Sequence, residues 1–450
     1  MSSVRGGRGS LSTEPTTGRL VGLQFPPGFL WGVSTAAHQV EGENYNNQWS
    51  AWESAGRIRS GDRCGKACDW WRNAERDFDL ARDLGINALR MSVEWSRIEP
   101  EEGCWNQAAL GRYREMLEGL HRRGIRPMIC LHHFTHPRWF EEKNAFLNPH
   151  AASLFESFVR RTIGALGDLC RDWVTFNEPN VYGALGYVLG EFPPGRSGEI
   201  VTAVRVMNSL ARAHASAYRA IHELLPESQV GWAHNYVVFQ PANPRSPLDR
   251  GVAGLLSELF NESFLRLVEK GRLAFPLSLM DKAAVDIRDT CDFIGLNVYS
   301  RFHVAFDLKQ TGQLFSNVFV PADVPQGDGG VEKPYGEAYP PGVRLAVERT
   351  ARLGKPIYIL ENGVPDAEDR IRPWLIRNVL KELHGLIAEG HDIRGYFHWT
   401  LTDNFEWSEG WKLRFGLVAL DPATQERTLR PSAHLYRGIA RSNGLMQDSE

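Results

Sequence analysis

Eight short apolar runs, the helical patterns that separate them, and a first run with no glycine-rich phosphate loop behind it predict an α/β chain. The architecture they predict is a single-domain (β/α)8 TIM barrel with extended βα loops at its C-terminal face. The runs are too short to be buried helices. They also lack clean period-two alternation, as strands covered on both faces do. An open doubly wound sheet is the alternative, and it usually offers G-x-G-x-x-G after its first strand. Here that place is taken by Val40-Glu-Gly-Glu-Asn44.

In chain order, a loop from Phe25-Pro-Pro-Gly leads into a first strand ending near Gln39. A polar, irregular stretch follows to Asp69. A helix is predicted over 73–84, with Phe78, Leu80 and Ala81 on its apolar side, and Gly85 ends it. The unit then repeats: strand 86–95, helix 107–123, strand 126–133, helix 151–169, strand 173–178, helix 200–225, strand 229–235, helix 252–270, strand 292–299. The stretch 301–339, rich in Gly, Pro and Asp, reads as a long loop. Helix 343–353, a strand ending at Glu361, helix 373–389, strand 393–399 and helix 432–443 complete the pattern. Residues 1–24 read as a disordered tail and 25–445 as the barrel.

The net charge of −3 gives no basic footprint for a nucleic-acid partner. No stretch nears ~18 uninterrupted apolar residues, so no membrane partner is expected. Arg5, Arg8 and Arg19 lie among Gly, Ser and Thr, without the apolar segment of a secretory signal. A soluble, cytoplasmic protein is the expectation. Of the six cysteines, Cys130 and Cys291 read as core thiols. Cys64 and Cys68 lack the second pair that a zinc site needs. They read as free thiols, with a local disulfide as the alternative.

In a barrel the C-terminal strand tips form the active face. Two apolar runs end there in a glutamate: Trp173-Val-Thr-Phe-Asn177-Glu178-Pro179 and Tyr358-Ile-Leu-Glu361-Asn-Gly. Paired carboxylates facing one cleft are the chemistry of glycosidic bond cleavage. A buried ion pair is the plainer explanation for either glutamate alone. The other tips carry Gln39, Arg90, His133, Asn235, Asn297, Tyr299 and Trp399, with Glu406 and Trp407 just beyond. Such neutral donors and acceptors with an aromatic platform suit a polyol, whereas a phosphate would call for more Arg and Lys. Arg90 and Tyr299 are expected to favour the charged form of Glu361. Glu178, with no cation nearby in sequence, is expected to hold its proton longer.

His132, His133 and His136 resemble metal ligands at first sight. His234 and His398 are the other candidates by position. However, His234 and Asn235 face opposite ways in an alternating strand, and no H-E-x-x-H is present. No metal and no cofactor is expected. His133 reads as a neutral sugar ligand, and His132 and His136 as structural histidines.

These residues together resemble glycoside hydrolase family 1, the β-glucosidase-like retaining enzymes. The match runs from about Phe25 to Tyr436. It is carried in order by Phe29-Leu-Trp-Gly-Val-Ser-Thr-Ala-Ala-His-Gln39, Asn87-Ala-Leu-Arg90, Thr175-Phe-Asn177-Glu178-Pro179, Asp292-Phe-Ile-Gly-Leu-Asn297-Val-Tyr299, Leu360-Glu361-Asn-Gly and Asp403-Asn-Phe-Glu406-Trp407. The resemblance implies double displacement on β-glucosides, with galactosides and fucosides as further substrates. Glu361 looks like the nucleophile and Glu178 like the acid/base, with their carboxyls ~5–5.5 Å apart as retention requires. Arg90 and Tyr299 look like supports of the nucleophile, and Asn177 like the ligand of the sugar 2-hydroxyl. Gln39, His133, Glu406 and Trp407 look like ligands of the outer hydroxyls, Trp399 like the platform under the ring, and Asn297 like a neighbour in the same site.

Phospho-sugar members carry Ser at the position of Glu406, then Lys and Tyr where this chain has Leu413 and Phe415. A free sugar is therefore implied, with an anionic Glu406 repelling a 6-phosphate. The chain departs from the family's usual residues at Phe134, Leu360, Val298 and Gly336. Gly336 stands where a Trp walls the leaving-group site, which implies a wider entrance unless another aromatic fills the gap. Partners are then small β-glycosides and oligosaccharides. A transglycosylase would share every residue named, whereas an inactive sugar-binding barrel would be expected to have lost a glutamate.

Overall fold

A computed structural model of the chain describes residues 22–273, 277–280, 287–330 and 332–446. Its centre is eight parallel strands: β1 (Leu30–Ser34), β2 (Ala88–Ser92), β3 (Arg126–His132), β4 (Asp172–Asn177), β5 (Gln229–Pro241), β6 (Phe293–Phe306), β7 (Ile357–Asn362) and β8 (Ile393–Trp399). Each pairs with the next, and β8 pairs back with β1, so the barrel has no open edge. Between the strands run α1 (Trp70–Asp83), α2 (Gln107–His121), α3 (Ala151–Leu166), α4 (Ile200–Leu224), α5 (Pro247–Ser257), α6 (Ser263–Lys270), α7 (Gly342–Thr350) and α8 (Arg372–Ala388), with α9 (Pro431–Ser442) after β8. The alternation expected from the sequence is the one observed.

The apolar residues divide into two main bodies. One lies between strands and helices. The other fills the barrel itself: Leu30, Ala88, Met128, Cys130, Val174, Ala233, Phe293, Tyr358, Leu360 and Phe397. Along the regular part of each strand, alternate residues thus face opposite layers. Large and small side chains are matched across the interior. A Cβ on Gly32 would meet the Phe397 ring at 2.2 Å, and one on Gly295 would meet Leu360 Cδ1 at 2.3 Å. Leu360 immediately precedes Glu361, so the plug of the barrel is also the footing of the site above it.

The structure corrects several boundaries. β1 stops at Ser34, and Gln39 sits in a short helix, Ala37–Glu41. β2 stops at Ser92, and Trp95 opens another short helix, Trp95–Ile98. The helix expected over 252–270 is α5, a π-helical turn at Glu258–Glu262, and α6. The expected loop 301–339 is partly sheet. β6 runs on to Phe306 and pairs with Ser316–Phe319 and with Glu337–Ala338. Phe302, Val304 and Phe306 alternate with Arg301 and His303, a period-two signal that the Gly, Pro and Asp further along obscured.

Leu23–Gln24, expected in the tail, pair antiparallel with Gly444–Leu445. The rest of the expected tail, 1–21, lies outside the described residues. Cys64 and Cys68 are both free, buried thiols. No helix among the described residues is long and apolar enough to cross a membrane.

Gly295→Ala is expected to destabilise the fold by about 2 kcal/mol through overpacking against Leu360. The urea midpoint measures it. An unchanged midpoint would contradict the tight fit inside the barrel.

Candidate active site

The two glutamates reach the cleft by the same device. Between the pairs Val174↔Gly231 and Asn177↔Ala233, β4 advances three residues while β5 advances two. Between Ile359↔Leu296 and Glu361↔Asn297, β7 advances two residues while β6 advances one. Each is a one-residue bulge, which breaks alternation and re-aims the side chains after it. Phe176 therefore packs outward on Phe155, at 4.7 Å between ring centroids, and Asn177 turns inward. Leu360 and Glu361 both face inward in succession, which a regular strand forbids.

Glu178 is not part of the strand. It adopts a left-handed conformation, φ 47°, and precedes Pro179 at the start of the short helix Pro179–Gly183. Such a backbone is uncommon outside glycine and is found where function holds it. On the other strand, Gly363 is required by close approach, since a Cβ there would lie 2.1 Å from the Trp399 carbonyl oxygen. Asn362 ties the tip of β7 to both neighbours. It donates to the Val298 carbonyl at 2.6 Å and accepts from the Tyr396 hydroxyl at 3.0 Å.

Around these carboxyls the predicted residues assemble. Arg90, wholly buried, forms an ion pair with Glu361 Oε1, and its other terminal nitrogen donates to Asn177 Oδ1 at 2.5 Å. The Tyr299 hydroxyl donates to Glu361 Oε2 at 2.6 Å. Glu178 Oε1 accepts from Asn297 and from Asn235, both at 2.8 Å. Asn297 also donates to Asn177 Oδ1 at 3.0 Å, so one amide links the surroundings of both glutamates. The Asn177 amide donates to His133 Nε2 at 3.1 Å. Gln39 donates to Glu406 at 3.1 Å, to Asn404 Oδ1 at 3.1 Å and to the Phe405 carbonyl at 2.8 Å.

An aromatic stack borders the cup. The His133 ring lies between Trp399, at 5.9 Å, and Trp407, at 5.8 Å, and Trp407 stacks in turn on His38. Phe134 sits edge-on to Trp407 at 5.3 Å. His132 and His136 are buried in a separate aromatic cluster with Phe146 and Tyr182. Among the described residues no group of His, Cys, Asp and Glu is placed to hold a metal. Asp403, next to this motif, is held by Arg430 at 2.9 Å rather than facing the cleft.

Burial is the largest influence on every acid here. It pushes Glu178 up to about 8, with Glu361 adding to the rise and Asn235 and Asn297 opposing it. Burial raises Glu361 as well, while Arg90 and Tyr299 pull it back. The sequence reading weighed these two residues but not the burial that works against them. Burial and the field of Glu361 push Glu406 up to about 8. Its charge is therefore not what would exclude a phosphate. Leu413 and Phe415, both buried and apolar, offer none of the cations a phosphate needs. Burial and the field of Arg90 hold His133 neutral.

Several polar atoms in the cup have no hydrogen-bond partner among the described residues: Gln39 Oε1, His133 Nδ1, Asn297 Oδ1 and Asn404 Nδ2. A buried polar atom left unpaired costs about 1–3 kcal/mol, so this wall is suited to a ligand with many hydroxyls. Sequence reasoning named Asn235 at its strand tip without a role, and missed Asn404 and Tyr335. Tyr335, the residue before Gly336, packs on Tyr299 and Phe415.

Comparison with known proteins agrees with this geometry. The description "Glycosyl hydrolase family 1" matches residues 22–445. Beta-glucosidase A of Thermotoga maritima is 32% identical over 94% of this chain and 99% of its own. A beta-galactosidase of Sulfolobus acidocaldarius is 30% identical over 95% of this chain and 97% of its own. The structure of a beta-glycosidase from Pyrococcus horikoshii superposes with a TM-score of 0.85 at 36% identity, covering 95% of this chain and 97% of that one. The chain belongs to glycosyl hydrolase family 1, the retaining β-glycosidases.

Proposed function

We propose that this enzyme hydrolyses terminal, non-reducing β-linked glucose by double displacement, with galactosides and fucosides as further substrates. The observation that carries the reading is the pair of glutamates on two bulged strand ends, one paired with Arg90 and the other held only by neutral amides. Glu361 is the nucleophile. Its attack on the anomeric carbon breaks the glycosidic bond and forms a glycosyl ester, and Arg90 and Tyr299 hold the carboxylate ionised and aimed. Glu178 is the acid/base. Raised to about 8, it carries a proton at neutral pH and delivers it to the leaving oxygen. Once the aglycone departs, Glu178 is the base that takes a proton from water as that water attacks the ester.

The neighbours divide the remaining work. Asn177, fixed by Arg90 and Asn297, meets the 2-hydroxyl, whose hydrogen bond strengthens at the transition state. Gln39, His133, Glu406 and Trp407 take the outer hydroxyls, and Trp399 supports the ring. A second reading, transfer to a sugar instead of water, uses the same residues. Product analysis at high acceptor concentration separates the two.

A panel of aryl β-glycosides tests the reading. Turnover of glucoside, galactoside and fucoside is expected, with the 6-phosphoglucoside inert; preference for the phosphosugar would refute the assignment of the Glu406 side. Glu361→Ala should lower kcat on the order of 10⁴-fold or more. Glu178→Ala should spare dinitrophenyl leaving groups far more than alkyl ones; equal losses would remove the acid role.

The pH profile carries a further expectation. Activity requires Glu361 ionised and Glu178 protonated, so kcat/KM should be bell-shaped, with its basic limb near the value of about 8 held by Glu178. The N–H of Asn235 favours the charged form of Glu178. Its loss in Asn235→Ala should raise that value and move the basic limb to higher pH. A shift to lower pH would be the wrong sign.

A further inference from the structure

The ribbon beyond β6 brings one aromatic into the site that no motif marked. Tyr335 is half-buried, with its ring edge-on to Tyr299 at 6.0 Å and to Phe415 at 5.0 Å between centroids. Tyr299 is the residue that donates to Glu361, so Tyr335 stands one ring away from the nucleophile. Its backbone is held on both sides. The Ser300 hydroxyl donates to the Tyr335 carbonyl at 3.4 Å. Two residues on, Glu337 pairs with Arg301 at 2.5 Å, and Arg301 in turn lies 3.7 Å over the Tyr339 ring. Gly336 permits the approach. Its φ is +134°, and a Cβ there would lie 2.4 Å from the Ser300 side chain.

The phenol differs from its neighbour in one respect. The Tyr299 hydroxyl is committed to Glu361, whereas that of Tyr335 has no protein partner among the described residues. The phenol is held protonated chiefly by burial, with the charges of Glu406, Glu178 and Glu361 adding to that in that order. A sugar with its C1 between Glu178 and Glu361 turns the opposite edge of its ring, with the 4- and 6-hydroxyls, toward Glu406. We propose that Tyr335 is a further substrate-binding residue, whose free O–H donates to the 4- or 6-hydroxyl of the glycone beside Glu406. Glu406 accepts and Tyr335 donates, so the pair recognises a free hydroxyl by both its proton and its lone pair. Ring packing on Phe415 fixes the donor before substrate arrives.

This inference rests on the glycosidase reading, and one set of measurements separates the two. kcat/KM is measured for the parent and for Tyr335→Phe on an aryl β-glucoside and its 2-, 4- and 6-deoxy analogues. Phe keeps the ring against Phe415, so the melting temperature should not move. The variant should lose about fivefold on the glucoside and on the 2-deoxy analogue, the size expected for one neutral hydrogen bond. It should lose nothing on one of the 4-deoxy and 6-deoxy analogues, the one that lacks the partner, and about fivefold on the other. Equal losses on all four substrates, or no loss on any, would overturn the role of Tyr335 while leaving the glycosidase intact. A parent inert on all four would overturn both.

Discussion

The ion pair between Arg90 and Glu361 is the interaction on which the rest of this structure depends. Both side chains are shut off from water, at 0% and 4% exposure. Placing two charges there costs more desolvation than their attraction returns unless further hydrogen bonds satisfy them. The surroundings meet most of that demand, although Arg90 Nε has no hydrogen-bond partner among the described residues. Tyr299 takes the second oxygen of Glu361, Asn177 takes the second arm of Arg90, and Asn297 bridges Asn177 to Glu178. An apolar pair would fit the barrel at less cost, but it would put no carboxylate in the cleft. The site is thus a charged network supported from below by the apolar plug that ends at Leu360.

The same network gives two chemically identical side chains the different surroundings that their proposed roles need. Glu361 faces a guanidinium directly. Glu178 is buried without a guanidinium against it and lies in the field of Glu361, so its proton stays on to higher pH although two amides oppose this. Neither role is a property of glutamate. Each is assigned by which strand tip carries the residue and by what stands opposite it in the closed barrel. The bulges matter for this reason. Without the extra residue in β4 and in β7, regular alternation would turn Asn177 and Glu361 toward the helices.

Much of this was legible in the sequence. All eight strands could be read from short apolar runs, because strands buried on both faces leave that signature whatever surrounds them. The predicted site residues converge because they close such runs or directly follow them, and the C-terminal tips of a parallel barrel share one face. The bulges, the left-handed Glu178 and the short helix that carries Gln39 escaped because they are departures from periodicity, which periodicity cannot announce. The sheet in 301–339 escaped because the Gly, Pro and Asp that follow masked its period-two signal. Asn235 stood at its tip, but its partner is 57 residues away in sequence and is adjacent only after the barrel closes. Tyr335 comes from a segment whose Gly and Pro content reads as loop, and only Gly336 beside it hinted at a close approach. The strength of burial at Glu361 and Glu406 was equally invisible, since it depends on what covers them.

The most direct test of Glu361 as the nucleophile is to trap its ester. The enzyme is incubated with an activated 2-deoxy-2-fluoro-β-glucoside, which slows both steps while its leaving group keeps the first one accessible. Intact mass and peptide mapping then locate the sugar. One fluoroglucosyl unit on the peptide containing Glu361, lost again when a glycoside acceptor restores activity, is the expected result. A label on Glu178, or turnover with inverted product and no label at all, would contradict the assignment of the two carboxyls.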